Sequence, residues 1–169
     1  MRLKLGKFIL LFLFCINFML FAGDYPYSKK ETMKLFILDE NLNDDKMAKI
    51  LNNCKNKSGK DCFINGILFV NNQYFEQNLS LALDFFTFSC DYNYPNGCVS
   101  AGSLDYIINK DKKTVLNFTK KACEMNAIYC NDLGLVYKDF IKDNEKAKIY
   151  FEISCNAGNL RACKNLQEF

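Results

Sequence analysis

Eight cysteines recur in four pairs along this chain, and their spacing constrains the fold more than any other feature. The first cysteines of successive pairs are separated by 36, 33 and 32 residues, and the second cysteines by 36, 32 and 33. Self-similarity at a spacing in the thirties is typical of α-solenoids, in which each repeat stacks on its neighbours. The pairs are Cys54 with Cys62, Cys90 with Cys98, Cys123 with Cys130, and Cys155 with Cys163.

Two other positions recur with the cysteines. A glycine follows the second cysteine by four residues in three repeats, and a small or branched residue precedes the first cysteine by eight. Because glycine within a helix costs about 1 kcal/mol relative to alanine, its recurrence predicts close helix–helix approach, with Gly134 meeting the small Ala147. The predicted packing positions are Gly66, Gly102, Gly134, Ala82, Val115 and Ala147.

The hydrophobic pattern between the cysteines has the period of a helix. In the third repeat the predicted face of the first helix comprises Cys130, Leu133, Gly134, Tyr137 and Ile141. A polar break at 142–144 precedes a second helix, so each repeat is predicted to be an antiparallel helix pair. The aromatic residues predicted to lie in the core of the second helices are Phe85, Phe86, Phe118, Tyr150 and Phe151.

Residues 1–23 have the layout of a secretory signal peptide. Three positive charges precede a fourteen-residue apolar run, and small residues follow at Ala22 and Gly23. The run is shorter than the about 20 apolar residues of a spanning helix, although an uncleaved anchor remains the alternative. Cleavage predicts a secreted or periplasmic chain without a membrane span. The predicted organisation is then a lead-in at 24–43 and a repeat domain at 44–169, with full repeats near 60–95, 96–127 and 128–159 and partial repeats at both ends.

The sequence has nine cysteines, and Cys15 leaves with the signal peptide, so eight remain in the exported chain. An even number of cysteines in an exported chain predicts disulfides, because exported proteins meet an oxidising compartment. The repeat favours four local bridges, each joining the end of one helix to the start of the next. Zinc is the alternative for paired cysteines, but the spacing here is seven or eight residues and the chain has no histidine. We therefore expect no metal and no cofactor.

The charge balance excludes a nucleic-acid partner. The basic residues number 22 in the full chain, and losing Arg2, Lys4 and Lys7 with the signal peptide leaves 19 against 19 acidic residues. Nucleic-acid binding needs a clustered basic surface, which a neutral chain with this distribution does not offer.

The spacing of cysteine, glycine and small residues resembles the Sel1-like repeat, a relative of the tetratricopeptide repeat. The paired cysteines make the chain similar to the Helicobacter cysteine-rich proteins within that group, over about residues 44–169. The resemblance implies a right-handed superhelix whose concave face, lined by the first helices, binds a peptide or protein. We expect the chain to be a monomer. It also implies the alternative of a penicillin-binding or weakly β-lactam-hydrolysing protein, for which a β-lactam or cell-wall peptide would be the ligand.

Residues typical of β-lactam hydrolysis are missing from the sequence. None of the serines after residue 23 is followed three positions later by lysine, which serine β-lactamases require, and histidine is absent. The enzyme assignment therefore stays open, with a binding scaffold favoured and no catalytic residue identified. Asp132 and Asp139 are interpreted as part of a solvated face.

Positions left over from packing on the first helices are candidates for partner binding, with ordinary solvent exposure as the alternative. They are Ile67, Val70, Ser103, Tyr106, Leu135 and Lys138. Asn78 lies in an acid-x-Asn-x-Ser pattern that resembles a bacterial N-glycosylation acceptor, and Asn78 or Ser80 as a helix cap is the alternative.

Overall fold

The computed structural model describes residues 44–71 and 75–169 of the 169-residue chain. The predicted signal peptide and lead-in fall outside these residues. The described part contains eight α-helices and no strand. The helices are α1 (Asp44–Lys55), α2 (Gly59–Val70), α3 (Leu79–Asp91), α4 (Pro95–Asn109), α5 (Lys112–Met125), α6 (Cys130–Leu135), α7 (Asn144–Asn156) and α8 (Leu160–Leu166).

Two short segments flank α6. A 3₁₀ turn, Ala127–Tyr129, precedes it, and a π-helical segment, Val136–Ile141, continues it. Each helix packs on the next along the chain, and α2 also contacts α4. We call α2/α3 the first pair, α4/α5 the second pair, and α6 with its π-helical segment and α7 the third pair. The prediction of an all-α solenoid stapled by disulfides is confirmed.

The turn within each pair is closed by a side-chain cap on the second helix. In the second pair Lys110 has a left-handed backbone (φ 59°) and Asp111 then caps α5 by accepting a hydrogen bond from the Lys113 amide at 2.9 Å. The third pair repeats this arrangement with Lys142 (φ 65°) and Asp143. The carboxylates face amides that would otherwise lack partners, so these caps explain where each second helix begins.

The turns between pairs lie inside the disulfide loops, and one differs from the others. Three of them pass through a residue with positive φ, at Lys57, Asn93 and Gly158. The loop closed by Cys123 and Cys130 is one residue shorter and uses Asn126 as a cap before the 3₁₀ turn. All four bonded cysteine pairs have Cα atoms 4.4–4.7 Å apart, within the usual range for a disulfide.

The atoms nearest to Gly134 belong to Phe151 and not to the predicted neighbour Ala147. A Cβ atom at Gly134 would lie 2.6 Å from a ring carbon of Phe151, so the glycine leaves room for a buried ring. Gly66 leaves room for Phe86 in the same way. The recurrence of glycine therefore indicates ring packing in the first and third pairs.

The other predicted packing positions lie in the interior. Ala82, Val115 and Ala147 are buried, as are the rings of Phe86 and Phe151. The remaining aromatic side chains predicted to be core are only partly buried: Phe85, Phe118 and Tyr150.

Ile141 does not lie on the buried face that the helical period predicts. Its side chain is 42% exposed, because the last turn of the first helix in the third pair is π-helical and not α-helical. A π turn contains more residues than an α turn, so a period of 3.6 residues no longer predicts which side chains face the core. The sequence pattern gave no sign of this change.

Candidate functional site

The six predicted partner-binding positions do not form one exposed row. Ile67 is 6% exposed and packs with Phe63, Ala82 and Phe86 in the core, so the prediction that it faces a partner is wrong. The apolar neighbours of the first pair close over this side chain. The other five positions are partly exposed: Val70, Ser103, Tyr106, Leu135 and Lys138.

Tyr106 forms part of an aromatic contact between two successive repeats. Its ring centroid lies 4.8 Å from that of Phe140, with the ring planes tilted by 44°. Tyr106 belongs to α4 and Phe140 to the π-helical segment, so the contact joins the first helices of the second and third pairs. Both rings are partly exposed. They form the floor of a candidate binding surface.

Two lysines from the turn of the second pair stand over this floor. The Lys110 ammonium lies 5.4 Å from the Tyr106 centroid, and the Lys112 ammonium lies 5.7 Å from the Phe140 centroid. Both lysines are exposed, and neither forms an ion pair with a carboxylate of the described residues. We call these four residues the Tyr106–Phe140 surface. Lysine side chains commonly pack their aliphatic portion against an aromatic ring while the ammonium group stays in solvent.

The sequence interpretation included only Tyr106 of these four residues. Phe140 follows Tyr106 by 34 residues, which is about one repeat, and that spacing is the signal that two aromatic residues meet on neighbouring first helices. The lysines carry no such signal, because surface lysines are common in any turn. Their position over the rings depends on the left-handed backbone of Lys110.

Lys138 contacts the last two residues of the chain, Glu168 and Phe169. Its ammonium lies 2.5 Å from Glu168 Oε2 and 5.6 Å from the centroid of the Phe169 ring. The Phe169 ring in turn packs against Phe151 at a centroid distance of 5.9 Å. Lys138 is therefore part of an intramolecular contact rather than an open position.

Asp132 does not belong to a solvated face, so that interpretation is wrong. Its side chain is 5% exposed, and burial raises the pKa of this carboxyl to about 7, against a smaller opposing effect of the Arg161 charge. Its Oδ1 atom has no hydrogen-bond partner among the described residues. Next to it in sequence, the buried Asn131 accepts a hydrogen bond from Asn165 at 2.8 Å. Asp139, by contrast, is exposed.

Asn78 caps α3. Its Oδ1 atom accepts a hydrogen bond from the Leu81 amide at 2.9 Å, and the residue is exposed. A glycan would be attached at Nδ2, which this cap does not use. Cap and glycan acceptor are therefore compatible at Asn78, and modification stays a prediction.

Two of the buried serine hydroxyls donate hydrogen bonds to backbone carbonyls of neighbouring elements. Ser89 donates to the carbonyl of Gly59 at 2.7 Å, and Ser154 donates to the carbonyl of Ile128 at 2.6 Å. No group of three metal-ligating side chains gathers anywhere in 44–71 or 75–169. In the same ranges no helix combines the length and hydrophobicity that a membrane crossing requires.

The similarity to a known protein is structural. No protein-family model matches the sequence, and no curated protein does. A crystal structure of a Sel1 repeat protein from Oxalobacter formigenes superposes with a TM-score of 0.60 at 19% sequence identity, covering 73% of this chain and 98% of that one. The chain has a Sel1-like repeat fold. At this identity the likeness concerns the fold alone, and function has to be argued from the site.

Proposed function

We propose that this protein is an exported, disulfide-stapled Sel1-like scaffold that binds a peptide or protein partner on the side of its first helices. The observation that carries the proposal is the Tyr106–Phe140 surface. Two partly exposed rings from successive repeats meet there at 4.8 Å. Stacked helix pairs commonly bind extended partners across neighbouring repeats, and this ring pair spans such a junction.

The aromatic composition of the surface supports binding rather than packing alone. Tyrosine and phenylalanine are enriched at protein interfaces, because a rigid ring buries a large area at a small cost in side-chain entropy. The rings remain partly exposed here although the repeat has its own core. A partner that covers them would bury apolar area that the solenoid leaves in contact with water.

The disulfides support the export part of the proposal. Four bridges persist in an oxidising compartment and are uncommon in the reducing cytosol. The proposal includes membership of the Helicobacter cysteine-rich branch, for which paired cysteines in successive repeats are the supporting feature. It also includes a monomeric scaffold, with a cell-wall peptide among the candidate partners.

Site-specific photo-crosslinking tests this proposal. A photoreactive phenylalanine analogue is placed at Phe140 or Tyr106, and for control at Ile149, which is 53% exposed on α7. After irradiation in the native cell envelope, we expect discrete adducts from the two surface positions and none from Ile149. Adducts of equal yield at all three positions, or none at Phe140 and Tyr106, would contradict a binding role for this surface.

A further inference from the structure

The charges around the Tyr106–Phe140 surface indicate what kind of partner it takes. Four other lysines of the described chain have carboxylate partners within 4 Å, including Lys138 with Glu168 and Lys146 with Asp143. Lys110 and Lys112 have none among the described residues, and each is held over an aromatic ring. Two ammonium groups that form no ion pair within the described residues therefore flank an apolar floor.

Of the acidic residues near the surface in sequence, Asp111 and Asp105 accept hydrogen bonds from their own helix termini, and Asp139, next to Phe140, is exposed. Asp111 stands between the two lysines, but its carboxylate accepts hydrogen bonds from the Lys113 amide and the Thr114 hydroxyl at the start of α5. These bonds hold the pKa of Asp111 below its usual value, with the Thr114 bond as the largest cause. Asp105 accepts a hydrogen bond from Asn109 at 2.7 Å. Asp111 thus stabilises the helix terminus and does not pair with either lysine.

The equivalent turn of the third pair is organised differently. Lys142 repeats the left-handed position of Lys110, but Asn144 replaces the lysine that follows the cap. The ammonium of Lys146 lies 2.9 Å from the capping carboxylate of Asp143. Two turns with the same backbone therefore differ in charge, and only the turn of the second pair presents two unpaired ammonium groups over rings.

We propose that the Tyr106–Phe140 surface binds an extended acidic peptide segment, with an apolar side chain on the two rings and carboxylates at Lys110 and Lys112. This inference rests on the proposed function and specifies its partner. In an extended chain, side chains two positions apart lie on one face, so carboxylates two residues before and after the apolar one are about 13 Å apart. Such a segment has the pattern acid-x-apolar-x-acid.

A short synthetic peptide tests the proposal. The probe contains Glu-Ser-Leu-Ser-Glu, and its matched control contains Gln-Ser-Leu-Ser-Gln. Each is titrated into the oxidised ¹⁵N-labelled protein, and amide shifts measured by NMR give the Kd and locate the site. We expect the glutamate peptide to shift amides around Tyr106 and Phe140, to bind about tenfold more tightly than the glutamine peptide, and to weaken with added salt.

Two double variants distinguish binding at this surface from nonspecific attraction between the peptide and the charge of the protein. The double variant K110Q/K112Q should raise the Kd of the glutamate peptide about tenfold, as expected for losing two exposed charge contacts. The control K142Q/K148Q removes two exposed lysines at the third pair and should leave the Kd within twofold. Equal binding of both peptides, unchanged binding by K110Q/K112Q, or an equal loss in the control would overturn the proposal.

The two experiments fail independently. If photo-crosslinks form at Phe140 while the glutamate peptide does not bind, the surface binds a partner but the acidic class is wrong. If the crosslinks are absent and the peptide still binds at Tyr106, the surface recognises acidic segments without a partner in the native envelope, and the proposed function fails.

Discussion

The second and third helix pairs share a backbone plan but fill their interiors differently. In the third pair the ring of Phe151 occupies the space beside Gly134. In the second pair the residue at the equivalent position is Thr119, whose hydroxyl donates to the carbonyl of Val115 at 2.9 Å. The nearest atoms to a Cβ at Gly102 are the Phe118 Cβ at 3.1 Å and the Val115 Cα at 3.5 Å.

One glycine position thus has two physical roles. In the third pair it accommodates a buried ring, whereas in the second it allows α4 to approach the backbone of α5. The pairs also differ two residues earlier, where the buried Ser100 of the second pair corresponds to the buried Asp132 of the third. A repeat therefore conserves backbone geometry more closely than it conserves the chemistry of its core.

Gly134→Ala should produce the largest difference between the two pairs. Its new methyl would lie 2.6 Å from the ring of Phe151, which is completely buried and has no room to move. Overpacking of this kind costs about 3 kcal/mol, which exceeds the about 1 kcal/mol that alanine gains over glycine in a helix. Urea denaturation of the oxidised protein should show a net loss of about 2 kcal/mol in the free energy of unfolding.

Gly102→Ala is the matched control in the second pair. Its methyl would meet the Phe118 Cβ at 3.1 Å, a contact that a shift of a few tenths of an ångström relieves. The cost and the gain in helix propensity should then nearly cancel, leaving stability within about 0.5 kcal/mol of the wild type. Equal losses in the two variants would mean that the ring of Phe151 is not what requires glycine.

The repeat, the helix pairs and the disulfide spacing could be predicted from the sequence because each recurs several times. The features that occur once could not be predicted in this way. The buried Asp132 follows Asn131, which Asn165 of α8 contacts, and senses the charge of Arg161 at the start of α8. The period of a single helix carries no information about such contacts between helices. The π-helical turn that exposes Ile141 and positions Phe140 likewise occurs in only one repeat of the part that the structure describes. The site thus depends on departures from the repeat, to which a periodic analysis is insensitive.

Asp132→Asn tests the buried acid that distinguishes the third pair from the second, where Ser100 lies at the equivalent position. The carboxyl has a pKa of about 7 in the folded protein against an ordinary value of 3.8, so the folded state holds its proton over a range in which the unfolded state releases it. Stability from this group is present below pH 3.8, falls as the pH rises, and levels off above about 7. The full shift corresponds to a cost of about 4 kcal/mol at most. Asparagine resembles the protonated acid and avoids this cost.

We expect Asp132→Asn to raise the free energy of unfolding by about 2 kcal/mol at pH 8 and to change it little at pH 4. Urea denaturation of variant and wild type at both pH values measures the difference. The capping carboxylates Asp111 and Asp143 have lowered pKa values, so the stability that they contribute to the fold is lost as the pH falls. This loss is the same in the variant and the wild type and cancels in their difference. The exposed Asp139→Asn is the charge control. A variant destabilised equally at both pH values would refute the raised pKa.

Asn126→Ala should have the smallest effect, and it tests the short junction before the third pair. The side-chain oxygen of Asn126 accepts a hydrogen bond from the Ile128 backbone amide at 3.0 Å. The backbone N–H of Asn126 donates to the carbonyl of Ala122. The junction before the second pair has no side-chain cap and instead places Pro95 in the first turn of α4. Losing a cap of this kind costs about 1 kcal/mol.

The disulfide of this junction joins Cys123 to Cys130 and remains intact in the variant, so the loss should reflect the cap rather than the staple. Asn126→Ser keeps a capping oxygen and should stay within about 0.3 kcal/mol of the wild type. Urea denaturation of both variants under non-reducing conditions measures the difference. If serine and alanine destabilise equally, the Asn126 side chain does not act through its cap. The one-residue deletion would then be accommodated by the 3₁₀ turn alone, whose larger rise per residue spans the same distance with fewer residues.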